Sequence, residues 1–180
     1  MKGIVFTEFL EMVETVYGLE TVDNIIEKCE LPSQGVYTAV GTYDFNEMVG
    51  LIQGLTEEVG VPANDLIYAF GQYLFEGLVK THPEVIKSYK SPLGLLYAIE
   101  DHIHVHVLKL YPDAELPTFK ILENTDQSLT MVYQSSRGLY RMAHGLIEKT
   151  FENFGKKAKV SYELLKEDGT EVKFDIVQYG

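Results

Sequence analysis

The chain has no tryptophan and one cysteine, Cys29. A single thiol excludes an intrachain disulfide framework and any zinc or iron–sulfur centre that needs two cysteine ligands. Cys29 reads as a small apolar residue on a helix face. Basic residues are scarce: 15 Lys and Arg stand against 27 Asp and Glu, for a net charge of −12. A surface of that sign repels phosphate backbones and anionic lipid, and no basic cluster offsets it, so neither nucleic acid nor a membrane surface is an expected partner. No run of about 18 apolar residues is present, which excludes a transmembrane helix. The opening stretch, Met1 to Gly18, carries one Lys and then acidic residues at helical spacing. It lacks the apolar core and cleavage site of a signal peptide, so the expected setting is the cytoplasm.

What is present suits a single domain. The 180 residues are 46% hydrophobic and include 12 Tyr and 9 Phe, enough for a substantial core. Phe6, Phe9, Leu10, Val13 and Tyr17 recur at helical steps until Gly18, and Val22, Ile25, Ile26 and Cys29 form a second short stretch before Pro32. Asp44 with Glu47 has the spacing of a capping box and predicts a third helix ending at Gly60 and Pro62. Asn64 opens a fourth, in which Gly71 and Gly77 suggest close approach of another helix or of a flat ligand. A short turn follows His82-Pro83, and Ser91-Pro92 starts a long helix running to about Tyr111.

After Pro112 and Pro117 the period changes. Residues 118–123 and 129–137 alternate as strands, 139–154 as a helix, and 159–165 and 172–177 as a hairpin turning at Asp168-Gly169. The expected architecture is α+β: about six helices in front, then a four-stranded antiparallel sheet with one inserted helix. Within one domain, residues 1–62 would form a helical part and 63–180 an α/β part.

Two constellations carry chemistry. The first is Asp101-His102-Ile103-His104-Val105-His106. On an α-helix, His104 falls on the apolar side with Leu93, Tyr97, Val107 and Tyr111, while His102 falls near Lys109 and His106 at the border. A lone imidazole on an oily face suits either an axial ligand of haem iron or a core histidine held by a hydrogen bond. His102 and His106, four apart, could instead bind zinc, although the Glu that follows the first His in metalloprotease helices is missing. The second constellation is Tyr133, Ser135 and Arg137, which share one strand face if the strand stays extended. Two hydroxyls and a guanidinium fork suit carboxylates, such as the propionates of haem. An ordinary solvated strand edge is the alternative.

A histidine helix followed by a Tyr-x-Ser-x-Arg strand resembles the haem-nitric oxide/oxygen-binding (H-NOX) family, the sensor domains of soluble guanylate cyclase and their bacterial stand-alone relatives. The resemblance runs over nearly the whole chain, through Met1-Lys2-Gly3, Tyr17-Gly18, the His104 helix ending at Tyr111-Pro112, Pro117, and Gly145-Leu146-Ile147-Glu148. It implies haem b with ferrous iron lying between the helices and the sheet and ligated by His104. Tyr133, Ser135 and Arg137 would hold the propionates, and Pro117 would press on the ring. The distal pocket would comprise Val5, Phe9, Leu74, Met142 and Leu146. Oxygen-binding members place a tyrosine where this chain has Met142. Tyr140 is about 200° round the helix from that position, and a two-residue slip in register would bring it in.

An apolar pocket implies nitric oxide, and carbon monoxide, as ligands, with little or no stable oxygen complex. The resemblance further implies a non-enzymatic sensor in which nitric oxide weakens the iron–histidine bond. A separate histidine kinase or cyclic diguanylate enzyme (a cyclase or phosphodiesterase) would read the change. Two rivals belong to other classes: a metal-dependent hydrolase built on His102 and His106, and a haem-free carrier of an apolar ligand.

Overall fold

In the computed structural model, which describes residues 1–179, the chain begins with four helices: α1 (Gly3–Tyr17), α2 (Leu19–Lys28), α3 (Phe45–Val59) and α4 (Ala63–Thr81). Gly18 ends α1 at φ 91°, and Gly60 ends α3 in the left-handed region at φ 70°. Both are conformations that a Cβ would strain. Asp44 caps α3 by accepting from the Asn46 amide at 2.8 Å. Only half of the expected capping box forms, because the Glu47 side chain turns away to Ser33 and Tyr37. The apolar stripes of these helices meet in one cluster containing Phe6, Phe9, Val13, Ile25, Met48, Leu51, Leu55 and, from α4, Leu66, Phe70 and Leu74.

Helix α5 (Pro83–Lys87) is the short turn expected after His82. The single long helix expected from Pro92 to Tyr111 is three pieces: α6 (Pro92–Tyr97), a π turn (Ile99–His104) and α7 (Val105–Leu110). The wide turn is marked by the Ile103 amide reaching the Ala98 carbonyl five residues back, at 3.3 Å. Such a turn fits one extra residue into the helix and offsets the next segment by about 100°. Tyr97, placed beside His104 on a continuous wheel, is 49% exposed, whereas Leu93 is buried.

The sheet runs in the order β1-β2-β4-β3, antiparallel throughout. Its strands are β1 (Thr118–Asn124), β2 (Ser128–Gln134), β3 (Lys157–Leu164) and β4 (Glu171–Tyr179), and α8 (Tyr140–Asn153) connects β2 to β3. The inner face presents Leu129, Met131, Tyr133, Val172, Phe174 and Ile176 to α6 and α8, making a second core with Leu93, Leu96, Ile147 and Phe151. Helices α4 and α8 cross backbone to backbone. A Cβ on Gly71 would lie 2.2 Å from the Met142 carbonyl oxygen, and one on Gly145 would lie 2.2 Å from that of Tyr68. Gly71 thus admits a helix, one of the two occupants its position suggested. The α+β class, the helical front and the four-stranded antiparallel sheet are as expected.

Candidate haem site

His104 closes the π turn. Its side chain is 14% exposed, and burial pushes the imidazole below its usual pKa against the opposing charge and hydrogen bond of Glu100. The ring is therefore neutral near pH 7, the state a metal ligand requires. Nδ1 lies 3.2 Å from Glu100 Oε1, whose carboxylate also accepts the Phe119 amide at 2.7 Å. Nε2 has no hydrogen-bond partner among the described residues. A carboxylate behind one ring nitrogen, with the other left free, is the usual arrangement behind a metal-bound histidine.

His144, which is buried, is a useful contrast to the half-buried His104. His144, on α8, meets Arg141 Nη1 at 2.9 Å through Nδ1 and Glu148 Oε1 at 3.2 Å through Nε2. It is the core histidine satisfied by hydrogen bonds; His104 is not. His102 and His106 are exposed. Among the described residues, no group of three or more His, Cys, Asp and Glu is placed to hold a metal ion.

Tyr133 is buried on the inner sheet face, where burial raises its phenol pKa against the influence of Ser135, the Leu139 backbone and the Arg137 charge. The expectation that one extended strand presents all three residues is corrected here. Strand β2 ends at Gln134, and residues 135–138 form a turn in which the Gly138 amide bonds to the Ser135 carbonyl at 3.3 Å. Gly138 takes φ 61°, which lets the chain turn into α8, and Arg137 lies in that turn rather than on the strand. Arg137 nonetheless remains near Tyr133 and Ser135. Its guanidinium donates to the carbonyl and the carboxylate of Glu115 and lies 5.7 Å from the centre of the Phe45 ring. The fork thus already grips a carboxylate, and that carboxylate belongs to a residue 79% exposed.

Val5, Phe9, Leu74 and Met142 meet in the front core, with Phe9 and Leu74 buried and Val5 and Met142 half-buried. Leu146, one turn further along α8, is half-buried outside that cluster. Tyr140 faces the other way, its ring 5.3 Å from that of Tyr162 and against Gly169 of the β3–β4 hairpin. Pro117 is half-buried immediately before β1. Sequence reasoning missed Glu100 and Phe119. Glu100 was legible as an i, i+4 partner of His104, whereas Phe119, whose ring lies 6.0 Å from His104 and 5.7 Å from Tyr133, required the tertiary fold.

These groups fit haem: a neutral imidazole with a free nitrogen, a guanidinium that holds carboxylate, hydroxyl donors beside it, and an apolar wall. The comparisons agree. The sequence profile of the haem-NO-binding family matches residues 2–162, so the chain belongs to this family of haem-based gas sensors, the H-NOX proteins. The unliganded Fe(II) H-NOX protein of K. algicida is 49% identical, with a TM-score of 0.97 over 100% of this chain and 97% of that one. An H-NOX protein of S. oneidensis in its Fe(II)NO state is 28% identical, with a TM-score of 0.91 and full coverage of both chains. Soluble guanylate cyclase gcy-35 of Caenorhabditis elegans is 22% identical over 154 residues, which are 83% of this chain and 22% of that protein. This chain therefore spans about a fifth of that relative's length.

Proposed function

We propose that this chain is a nitric oxide sensor that forms little or no stable oxygen complex and regulates a separate signalling protein. Haem b, held by His104 and clasped by Tyr133, Ser135 and Arg137, would supply a ferrous iron that binds nitric oxide or carbon monoxide. Bound oxygen carries partial negative charge and needs a donor to retain it, whereas nitric oxide depends on one much less. The observation that carries the reading is the direction of two side chains: Met142 packs into the apolar front core, while the Tyr140 hydroxyl lies beside Tyr162. On this reading Val5, Phe9, Leu74 and Leu146 complete the gas pocket, and Pro117 bears on the ring from the His104 side.

His104 is the mechanical link. It sits where the π turn meets α7, so freeing its imidazole would release that segment from the site. The front helices, taken as residues 1–62, could then shift against the α/β part. A partner that contacts the two arrangements differently would read the change. The family suggests a histidine kinase or an enzyme of cyclic diguanylate metabolism. Among the described residues, no helix is long and apolar enough to cross a membrane.

Absorption spectra of the reduced protein under argon, nitric oxide, carbon monoxide and air test this. Relative to argon, shifts with nitric oxide and carbon monoxide and no stable complex in air are expected. A stable oxygen complex would overturn the selectivity. His104→Ala should abolish gas-linked control of the partner, and unchanged regulation in that variant would overturn the switch.

A further inference from the structure

The carboxylate of Glu100 is fixed from two sides. Glu100 lies early in the π turn, four residues before His104, and its Oε1 comes to 3.2 Å from His104 Nδ1. The same oxygen accepts the Phe119 amide at 2.7 Å. Strand β1 is an edge of the sheet, so amides on its outer side have no neighbouring strand to bond. Glu100 takes up the Phe119 one. A free glutamate side chain spreads its charge over many rotamers, whereas this oxygen is held by the backbone of a strand, a rigid reference. The Phe119 ring, 6.0 Å from that of His104, closes the same corner.

A carboxylate only accepts, so the imidazole proton belongs on Nδ1 and the lone pair on Nε2. An anionic acceptor at Nδ1 pushes electron density through the ring and makes Nε2 a stronger donor to a metal. A backbone carbonyl in that place would do less, because it carries no full charge. His144 shows the opposite arrangement: Arg141 on one nitrogen offsets Glu148 on the other. Among the described residues no Lys or Arg makes an ion pair with Glu100, so its charge acts on His104 without such an offset. The Glu100 side chain is 37% exposed, and water weakens its field without cancelling it. It therefore adjusts the strength of a bond rather than deciding whether the bond forms. We propose, on the reading in which His104 is the iron ligand, that Glu100 is a positioning residue that strengthens the iron–histidine bond and so sets how readily nitric oxide releases the histidine segment.

Resonance Raman spectroscopy of the reduced, haem-loaded protein without gas reads the iron–histidine stretch directly. Glu100→Gln keeps an oxygen for the Phe119 amide and removes the charge. It should take up haem as fully as the parent, lower the stretching frequency, and move the reduction potential to a more positive value. Its nitric oxide complex, followed by absorption, should hold a larger fraction in the histidine-released form. Glu84→Gln, the same charge change on a side chain 88% exposed, should leave the stretch, the potential and that fraction unchanged. A stretch and a potential in Glu100→Gln equal to the parent's, with a shift only in Glu100→Leu, would make Glu100 a structural strut and overturn the proposal. A parent that takes up haem but shows no iron–histidine stretch, or one whose stretch survives in His104→Ala, would instead overturn His104 as the ligand, and the proposal with it.

Discussion

The front helices and the α/β part behind them bury similar apolar cores yet differ sharply in charge. Residues 1–62 contain eleven Asp and Glu against two Lys, whereas residues 63–180 contain sixteen against thirteen Lys and Arg. The front core, which α4 completes, is joined to the sheet side by two different kinds of contact. One joint is rigid, where α4, whose Phe70 and Leu74 belong to the front core, crosses α8 at Gly71 and Gly145 with no side chains between. The other is polar and wet: Lys2 and Thr42 hold Asp113 on the loop after α7, at 3.0 and 2.6 Å, and Asp113 is 59% exposed. The contrast indicates where relative motion is easy: exposed ion pairs contribute little to stability, whereas close backbone packing resists displacement.

The strongest challenge to this comparison is to hollow each core in turn. Phe9→Ala in front and Phe174→Ala behind each remove a fully buried ring and should cost about 3–5 kcal/mol. If the α4–α8 crossing couples the two parts, urea unfolding of either variant stays a single transition by circular dichroism and tyrosine fluorescence. Two separated transitions would mean that the parts unfold independently. A smaller effect isolates the joint itself. Gly145→Ala drives a methyl into the Tyr68 carbonyl and should destabilise by about 1–3 kcal/mol. Gly50→Ala on the open side of α3 should instead stabilise by about 0.5–1 kcal/mol.

Met142→Tyr asks whether the boundary between the parts sets gas selectivity. A hydroxyl placed in the cluster with Phe9 and Leu74 should create or lengthen the lifetime of an oxygen complex, followed by absorption in air. Tyr140→Phe, whose ring lies with Tyr162, should leave gas binding unchanged. The smallest expected effect is the pH dependence of the wet joint. Hydrogen bonds from Thr42 and Lys2 pull the Asp113 carboxyl from 3.8 to about 2. Because the folded value is the lower one, its contribution is full above pH 3.8 and is lost as the pH falls toward 2. In Asp113→Asn that part of the acid dependence should disappear from the unfolding midpoint.

How much of this was legible in the sequence depends on how local the cause is. The caps at Asp44, Gly18 and Gly60 follow from side-chain or backbone preferences within a few residues. The opposite directions of Met142 and Tyr140 follow from helical period alone, as expected. Glu47 was misread as a capping residue because Ser33 and Tyr37, which draw it away, come from a loop that folds back over α3. The turn that redirects Arg137 had a signal in Gly138, but strand alternation was extended past it. The π turn carries no such sign: Ile99 to His104 look helical, and which helical pitch they take depends on α6 being seated against the sheet and Glu100 reaching the Phe119 amide.

That wide turn makes helical pitch, as well as residue identity, a determinant of the site. Tightening the turn to ordinary pitch at the same chain length would turn the imidazole by about 100° about the helix axis relative to α6. The histidine would survive in the sequence yet no longer face Phe119. A chain one residue shorter between Ala98 and His104 would instead keep its histidine on the same side with an ordinary helical turn, because the wide turn absorbs a single residue.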